Sequence, residues 1–409
     1  MDRIIVQSCQ ITDTVIYVRY KAEGELQRYL KIGLSLFTTE YSESVANVPY
    51  SIAVIPFVAN VLPLIWLADG ELVVEELDKS FYNSINEFKH GYANMYPMLY
   101  FKGKVTVNRI ISNDIEKTNN AAAFFSGGVD AFATLIAHMD EKPLLLTLWG
   151  ADVNLNDTGG WENIKKHVEQ TANAFCLENI FIRTNFREIL NDKQLSSLIK
   201  HSGDTWWHGF QHGIGIISHA APLVYTRRLA KVYIASSFTI KEKGLVTCAS
   251  DPSIDDHVKL CGSQVIHDQY EYARQDKIRH ICEFVRKSGV SICLHVCWIS
   301  SGGKNCCHCE KCYRTMFALF AEGADPIDYG FYYTTDDLKK SYKRLKYQMS
   351  FRFQAIQQRF LSNNNALSNQ YIKWIYTCDI EKMSRVTIKK NICILLSRIH
   401  TRLKFLTKI

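Results

Sequence analysis

Between residues 121 and 235 short apolar runs alternate with segments of helical periodicity, and this alternation restricts the chain more than any other feature. Residues 121–125, 144–148, 179–183 and 232–235 have the length and composition of buried strands. Residues 130–139, 161–175 and 206–220 carry apolar side chains at helical spacing. Strands that are each followed by a helix cannot pair through tight hairpins; they need crossovers, which make a parallel sheet covered by helices on both faces. The predicted fold class is therefore α/β.

The flanks read differently. Residues 1–115 form a predicted α+β domain of unknown role, with strands at 4–11 and 14–20 and a helix at 78–92 that places Phe81, Ile85 and Phe88 on one face. Within it, residues 52–68 are uncharged and apolar but only 17 long, and Pro56, Asn60 and Pro63 interrupt them. A membrane-spanning helix takes about 20 apolar residues, so this segment reads as a buried strand-and-helix element and no membrane span is expected. Residues 331–409 read as a basic helical tail. Residues 339–409 hold 16 Lys and Arg against two acids, and the rest of the chain holds 48 − 16 = 32 bases against 41 − 2 = 39 acids. A body of charge −7 with a basic tail of charge +14 points to an acidic partner for the tail: nucleic acid, a membrane surface or another protein. Residues 388–406 are amphipathic as well as basic.

The central segment, residues 116–330, carries two chemical motifs. The first is Ser126-Gly127-Gly128-Val129-Asp130, between the first strand and its helix. Two glycines let main-chain amides approach an anion, because no Cβ stands in the way. The amides of Gly127, Gly128 and Val129 then face that anion from the positive end of the helix. Ser126 adds a hydroxyl donor, and Asp130 either holds Mg²⁺ or positions the helix start. The Gly-Lys-Ser/Thr ending of a Walker A loop and the G-x-G-x-x-G of dinucleotide sites are both missing.

The second motif is Cys297, Cys306, Cys309 and Cys312, a C-x8-C-x2-C-x2-C array. Four thiolates with paired x2 spacings suit a tetrahedral Zn²⁺ whose closed shell makes it structural. Cys307 and His308 lie inside the array and are alternative ligands. The 13 cysteines are odd in number and the first residues lack the apolar core of a signal peptide, so reduced thiols and a cytoplasmic location are expected.

Ser-Gly-Gly-x-Asp resembles the signature of the PP-loop ATP pyrophosphatases, which split ATP between its α and β phosphates to adenylate a substrate oxygen. The cysteine spacing, late in the same segment, resembles that of the 7-cyano-7-deazaguanine synthase branch. The resemblance covers about residues 120–320. The resemblance implies a parallel-sheet domain of the adenine nucleotide alpha hydrolase type, with ATP, Mg²⁺ and Zn²⁺ as cofactors. It places a pyrophosphate cradle at Ser126, Gly127, Gly128 and Asp130, with Asp130 and Ser126 as catalytic residues. It also places adenine near Trp149 and Gly150, after the second strand. Ala131 departs from the pattern, standing where the family has a serine.

Ser236 and Ser237 follow the fourth strand, where loops face the ligand in open α/β sheets, and are candidates for ribose or substrate contact. Asp251, Asp255 and His257 are candidates for Mg²⁺ or a polar substrate, against an ordinary turn reading. His208 and His212 are one turn apart and read as helix packing. Arg274, Lys277 and Arg314 are candidate phosphate clamps or surface charges. The expected activity is ATP-dependent adenylation of a carboxylate or carbonyl oxygen for attack by ammonia or an amine, on an acceptor the sequence does not name. The alternatives are a nucleotide-binding regulatory or scaffolding subunit and a tRNA-modifying enzyme.

Overall fold

The computed structural model describes residues 2–113, 115–297, 303–350 and 352–384. They form two compact units, the first ending at Arg274 and the second beginning at Gln275.

The first unit contains one sheet built from β1 (Arg3–Ile11), β2 (Val15–Glu23), β3 (Leu36–Tyr41), β4 (Glu71–Asp78), β5 (Lys104–Ile111), β6 (Ala121–Phe124), β7 (Leu144–Trp149), β8 (Asn179–Thr184), β9 (Lys231–Ala235), β10 (Lys259–Leu260) and β11 (Ser263–Asp268). Their order is β10-β11-β9-β6-β7-β8-β3-β2-β1-β4-β5. The run β11-β9-β6-β7-β8 is parallel throughout, as the alternation predicts. From β6 the chain proceeds to β7 and β8 on one side, then crosses to β9 and β11 on the other. The order therefore reverses between β6 and β9, which is the topological switch point where ligands bind in open α/β sheets. All four residues of β6 are buried, so the sheet is covered on both faces at this centre.

The boundary expected at residue 115 does not separate two sheets. β3 pairs antiparallel with β8, aligning Thr39 with Thr184 and Tyr41 with Ile182. The N-terminal strands thus extend the parallel sheet, and the pairing hides a strand edge that would otherwise be open. Residues 52–68 are helical rather than strand-and-helix, in Tyr50–Ala53 and Ile55–Leu67. Asn60 inside this apolar helix is fully buried and satisfied: its amide donates to Pro56 O at 2.8 Å, and its carbonyl accepts from Gln211 at 3.0 Å. No helix among the described residues is long and apolar enough to cross a membrane.

In the second unit the described part of the expected tail is folded. Helices Thr335–Leu345 and Arg352–Ser362 bury Leu338, Leu345, Phe353, Ile356 and Phe360. Arg359 grips buried Glu322 with Nε at 2.9 Å from Oε1 and Nη2 at 2.7 Å from Oε2. Beyond it, Leu367 N–H and the Asn363 amide donate to the carbonyls of Phe320 and Ala321, at the end of helix Glu310–Ala321. The basic amphipathic stretch 388–406 lies outside the described residues.

Candidate functional site

The loop after β6 begins with a fixed anchor. Phe125 N–H donates to Leu146 O at 2.8 Å, and Thr147 Oγ1 donates to Phe125 O at 2.7 Å, tying the strand end to β7. Ser126 follows, exposed, and Gly127 adopts φ +73°, a left-handed conformation that side chains resist. Gly128 is the N-cap of helix Val129–Ala137 and, as a glycine, supplies no side-chain cap of its own. Of the sequence-predicted cradle, Ser126, Gly127, Gly128, Val129 and Asp130 thus lie together at the carboxyl end of β6, beside the switch point.

Asp130, in the first helical turn, meets Arg274 Nη1 through its Oδ2 at 2.6 Å. Both side chains are about four-fifths buried, with relative exposures of 19% and 18%. Arg274 Nε and Nη2 are buried with no hydrogen-bond partner. Unsatisfied guanidinium donors in such a position are costly, and an anion beside them would remove that cost. Of the three candidate cations, Arg274 meets Asp130 of the loop. Lys277 and Arg314 are buried residues of the second unit, where Arg314 pairs with Glu310 at 3.2 Å.

Across the switch point, β9 ends at Ala235. Ser236 is fully buried; its N–H donates to Asp268 O at 2.9 Å and its hydroxyl donates to Phe238 O. Ser237 is the exposed one of the pair. Ser236 therefore shapes the turn, and Ser237 presents the hydroxyl at this strand end.

Trp149 and Gly150 sit at the end of β7, as expected, but their groups are engaged within the fold. The Trp149 ring stacks on Trp161 at 5.1 Å, and its Nε1 donates to Asn154 O. Gly150 N–H donates to Val153 O at 3.1 Å, so this amide is held in a turn. Gly150 has φ +108°, and a Cβ there would meet Thr184 O at 2.0 Å. The glycine is needed for close approach to β8.

The acidic stretch after β9 does not converge on one site. Asp251 caps the short helix Pro252–Asp255 by accepting from Ser253 N–H. Asp255 is fully buried, taking a hydrogen bond from Ser250 at 2.7 Å and facing His267 Nδ1 at 2.8 Å. His257 lies exposed, 3.9 Å from Glu87. These residues build a turn and a buried pair. His208 and His212, by contrast, flank Cys248, a residue without a neighbouring motif in the sequence. Only the spacing of Asp204, His208 and His212, four residues apart each, hints at it.

The second unit holds the cysteine cluster. The Sγ atoms of Cys297, Cys306, Cys309 and Cys312 all lie within 4.8 Å of one another. Cys297 to Cys309 and Cys306 to Cys312 are each 3.9 Å. Four sulfurs about 2.3 Å from a tetrahedral zinc stand roughly 3.8 Å apart, so the cluster fits the ion. It is also too wide for disulfides, whose sulfurs are about 2.05 Å apart. Cys309 starts helix Glu310–Ala321, where its Sγ accepts from Cys312 N–H at 3.4 Å, placing two ligands on one turn. Cys307, with φ +57°, turns its thiol towards Asn305 O, and His308 Nδ1 contacts Cys306 O at 2.6 Å. Neither belongs to the set. With four ligands, a metal here has no open position for substrate.

Comparisons of the chain with protein-family models, with curated proteins and with solved structures found no match.

Proposed function

We propose that this protein binds ATP at the loop 126–130 and splits it between the α and β phosphates, as PP-loop ATP pyrophosphatases do. The carrying observation is that the Gly127–Gly128 loop stands at the reversal between β6 and β9, where Arg274 pairs with Asp130 and keeps two buried donors without a partner. Helix amides and a buried guanidinium supply positive potential where a pyrophosphate leaves, and such fixed donors stabilise departing charge without reorganising. Mg²⁺ enters as the counter-ion of the phosphates. Asp130 is the one acid in the first helical turn, and its pairing with Arg274 makes it the residue that aims this guanidinium. Ser237 then reaches the nucleotide or acceptor from the neighbouring strand end.

The activated group is a carboxylate or carbonyl oxygen, which becomes an acyl or imidoyl adenylate and is taken by ammonia or an amine. The cysteine cluster holds Zn²⁺ as a structural ion, as in the 7-cyano-7-deazaguanine synthase branch, and the free thiols of the described cysteines suit a cytoplasmic protein. A second reading is a nucleotide-binding regulatory subunit without turnover. Ala131 favours it: this side chain is buried and offers no hydroxyl to a phosphate.

Incubation with α-labelled ATP, Mg²⁺ and candidate carboxylic acids separates the two. Release of AMP that depends on the acid, and that is lost in Asp130→Ala, supports the pyrophosphatase. Tight ATP binding with no AMP under any acid supports the regulatory subunit.

A further inference from the structure

We infer that Cys248 is a nucleophilic thiol, held between His208 and His212 and backed by Asp204, which takes up an activated acyl group at the carboxyl edge of the sheet. The residues come from one distorted helical turn and one loop. Trp207–Gln211 is a π-helical turn in which His212 N–H donates to Trp207 O. Such widened turns are frequent at functional sites. Ala249 N–H donates to His208 O at 2.8 Å, which pins the Cys248 loop to this turn. Thr247 Oγ1 donates to Asp204, so both chain neighbours of Cys248 are tied to the Asp204–His208 pair, and Gly213, next to His212, packs so closely on this loop that a Cβ there would meet Ala249 O at 2.3 Å.

A third group orients the first imidazole. Asp204 Oδ1 lies 2.9 Å from His208 Nδ1, while its Oδ2 accepts from Tyr96 Oη and Thr247 Oγ1, each at 2.8 Å. The carboxylate is thereby fixed, and with it the face of the His208 ring turned to sulfur. Nucleophile, base and orienting acid in this relation are the arrangement that activates a thiol. Charges agree with the geometry. Burial alone would raise the Cys248 thiol, but hydrogen bonds from His208 and His212 outweigh it and bring the group down to about 7. The hydrogen bonds to Asp204 and then to Cys248 raise His208 to about 10. Between those values the pair exists as thiolate and imidazolium. The other titratable groups facing it are Tyr92, Tyr96, Asp152 and Asp255.

Metal binding is the competing use of Cys, His and His. Among the described residues, only the four-cysteine cluster brings three or more such ligand atoms within 4.8 Å of one another. The spacing favours the nucleophile.

The position says what reaches it. The His208 ring packs edge-on to Phe238, two residues after Ser236, at 5.9 Å. Trp207 lies under Arg187, whose Nη1 donates to Ala151 O just beyond β7. The thiol therefore stands at the same edge of the sheet as the loop after β6. Cys248 itself is 4% exposed, and the half-exposed His208 ring connects it to solvent.

The acyl step rests on the ATP reading above. The Cys248 thiolate attacks the carbonyl carbon of an acyl adenylate; the C–S bond forms, the C–O bond to phosphate breaks, and AMP leaves with the electron pair. An amine then attacks the thioester carbon, its proton passes to His212, and the thiolate departs to the His208 imidazolium.

The test needs no nucleotide, so its failure and that of the ATP reading are separate. The native protein is treated with iodoacetamide across a pH series and, separately, with p-nitrophenyl acetate, and modified cysteines are mapped by mass spectrometry. Cys248 should alkylate with a midpoint near about 7 and acquire an acetyl group, while exposed Cys176 does not gain the acetyl. Asp204→Asn and His208→Gln should move the midpoint up by about one unit and slow labelling near neutrality several-fold. A purely structural thiol would show no such shift. Cys248 that stays unmodified until denaturant is added, or a midpoint unmoved in both variants, would overturn the proposal.

Discussion

Arg274 closes on Asp130 at 2.6 Å across 144 residues of sequence. Replacing Arg274 by Ala removes the donors offered to the bound anion. Charge-assisted hydrogen bonds contribute about 1.5–3 kcal/mol, so ATP affinity should fall roughly ten- to hundredfold. Titration calorimetry checks this, and Arg274→Lys should recover only part of the loss, because a point charge lacks the forked donors.

The two loop glycines should behave differently in stability and alike in binding. Gly127 has φ +73° and Gly128 has φ −81°. Gly127→Ala should cost about 1–2 kcal/mol in urea denaturation, and Gly128→Ala much less. Main-chain approach to an anion needs the absence of a Cβ, so both variants should lose nucleotide affinity.

Purified protein should contain one zinc per chain, measurable by elemental analysis. Cys309→Ala removes both a ligand and the N-cap of helix Glu310–Ala321. Metal content should drop to near zero, and thermal stability should fall by an amount reached in wild type only with a strong chelator. The loss is on the order of several kcal/mol, since site formation and folding are coupled.

His219 provides a pH prediction. It is fully buried, with Nδ1 2.7 Å from Gly215 O and Nε2 3.0 Å from Thr184 Oγ1, and burial holds it down at about 4. The unfolded chain takes up this proton first, near about 6.5. The contribution to stability is therefore complete above about 6.5 and is lost as pH falls towards about 4, a total of about 3 kcal/mol. Urea midpoints of wild type should decline through this window more steeply than those of His219→Gln.

Arg359→Ala should destabilise the second unit by roughly 3 kcal/mol, because it leaves Glu322 buried without its partner. Denaturation followed by Trp374 fluorescence checks this. An unchanged midpoint would contradict it.

The β6–β9 alternation was legible because buried parallel strands are continuous apolar runs, whose lengths alone distinguish them from helices. The cysteine cluster was legible for a similar reason: its ligands are local, and spacing determines which sulfurs meet. What escaped was non-local. Nothing in Leu36–Tyr41 announces Asn179–Thr184 as its partner, because strand pairing carries no sequence label over such a separation. The basic residues after 339 read as a helical tail for an acidic partner, although Arg359 and the apolar face of its helix belong to a core. Gly150 read as an opening for a ligand, whereas Thr184 O occupies the space its Cβ would need. Cys248 has no motif around it; it gains meaning only when the loop is pinned beside His208.

The most direct measurement is a crystal structure with a non-cleavable α,β-methylene analogue of ATP and Mg²⁺. The account predicts the β and γ phosphates on the amides of Gly127, Gly128 and Val129, within hydrogen-bond reach of Arg274. Phosphate density elsewhere on the molecule, with that loop empty at saturating analogue, would contradict it.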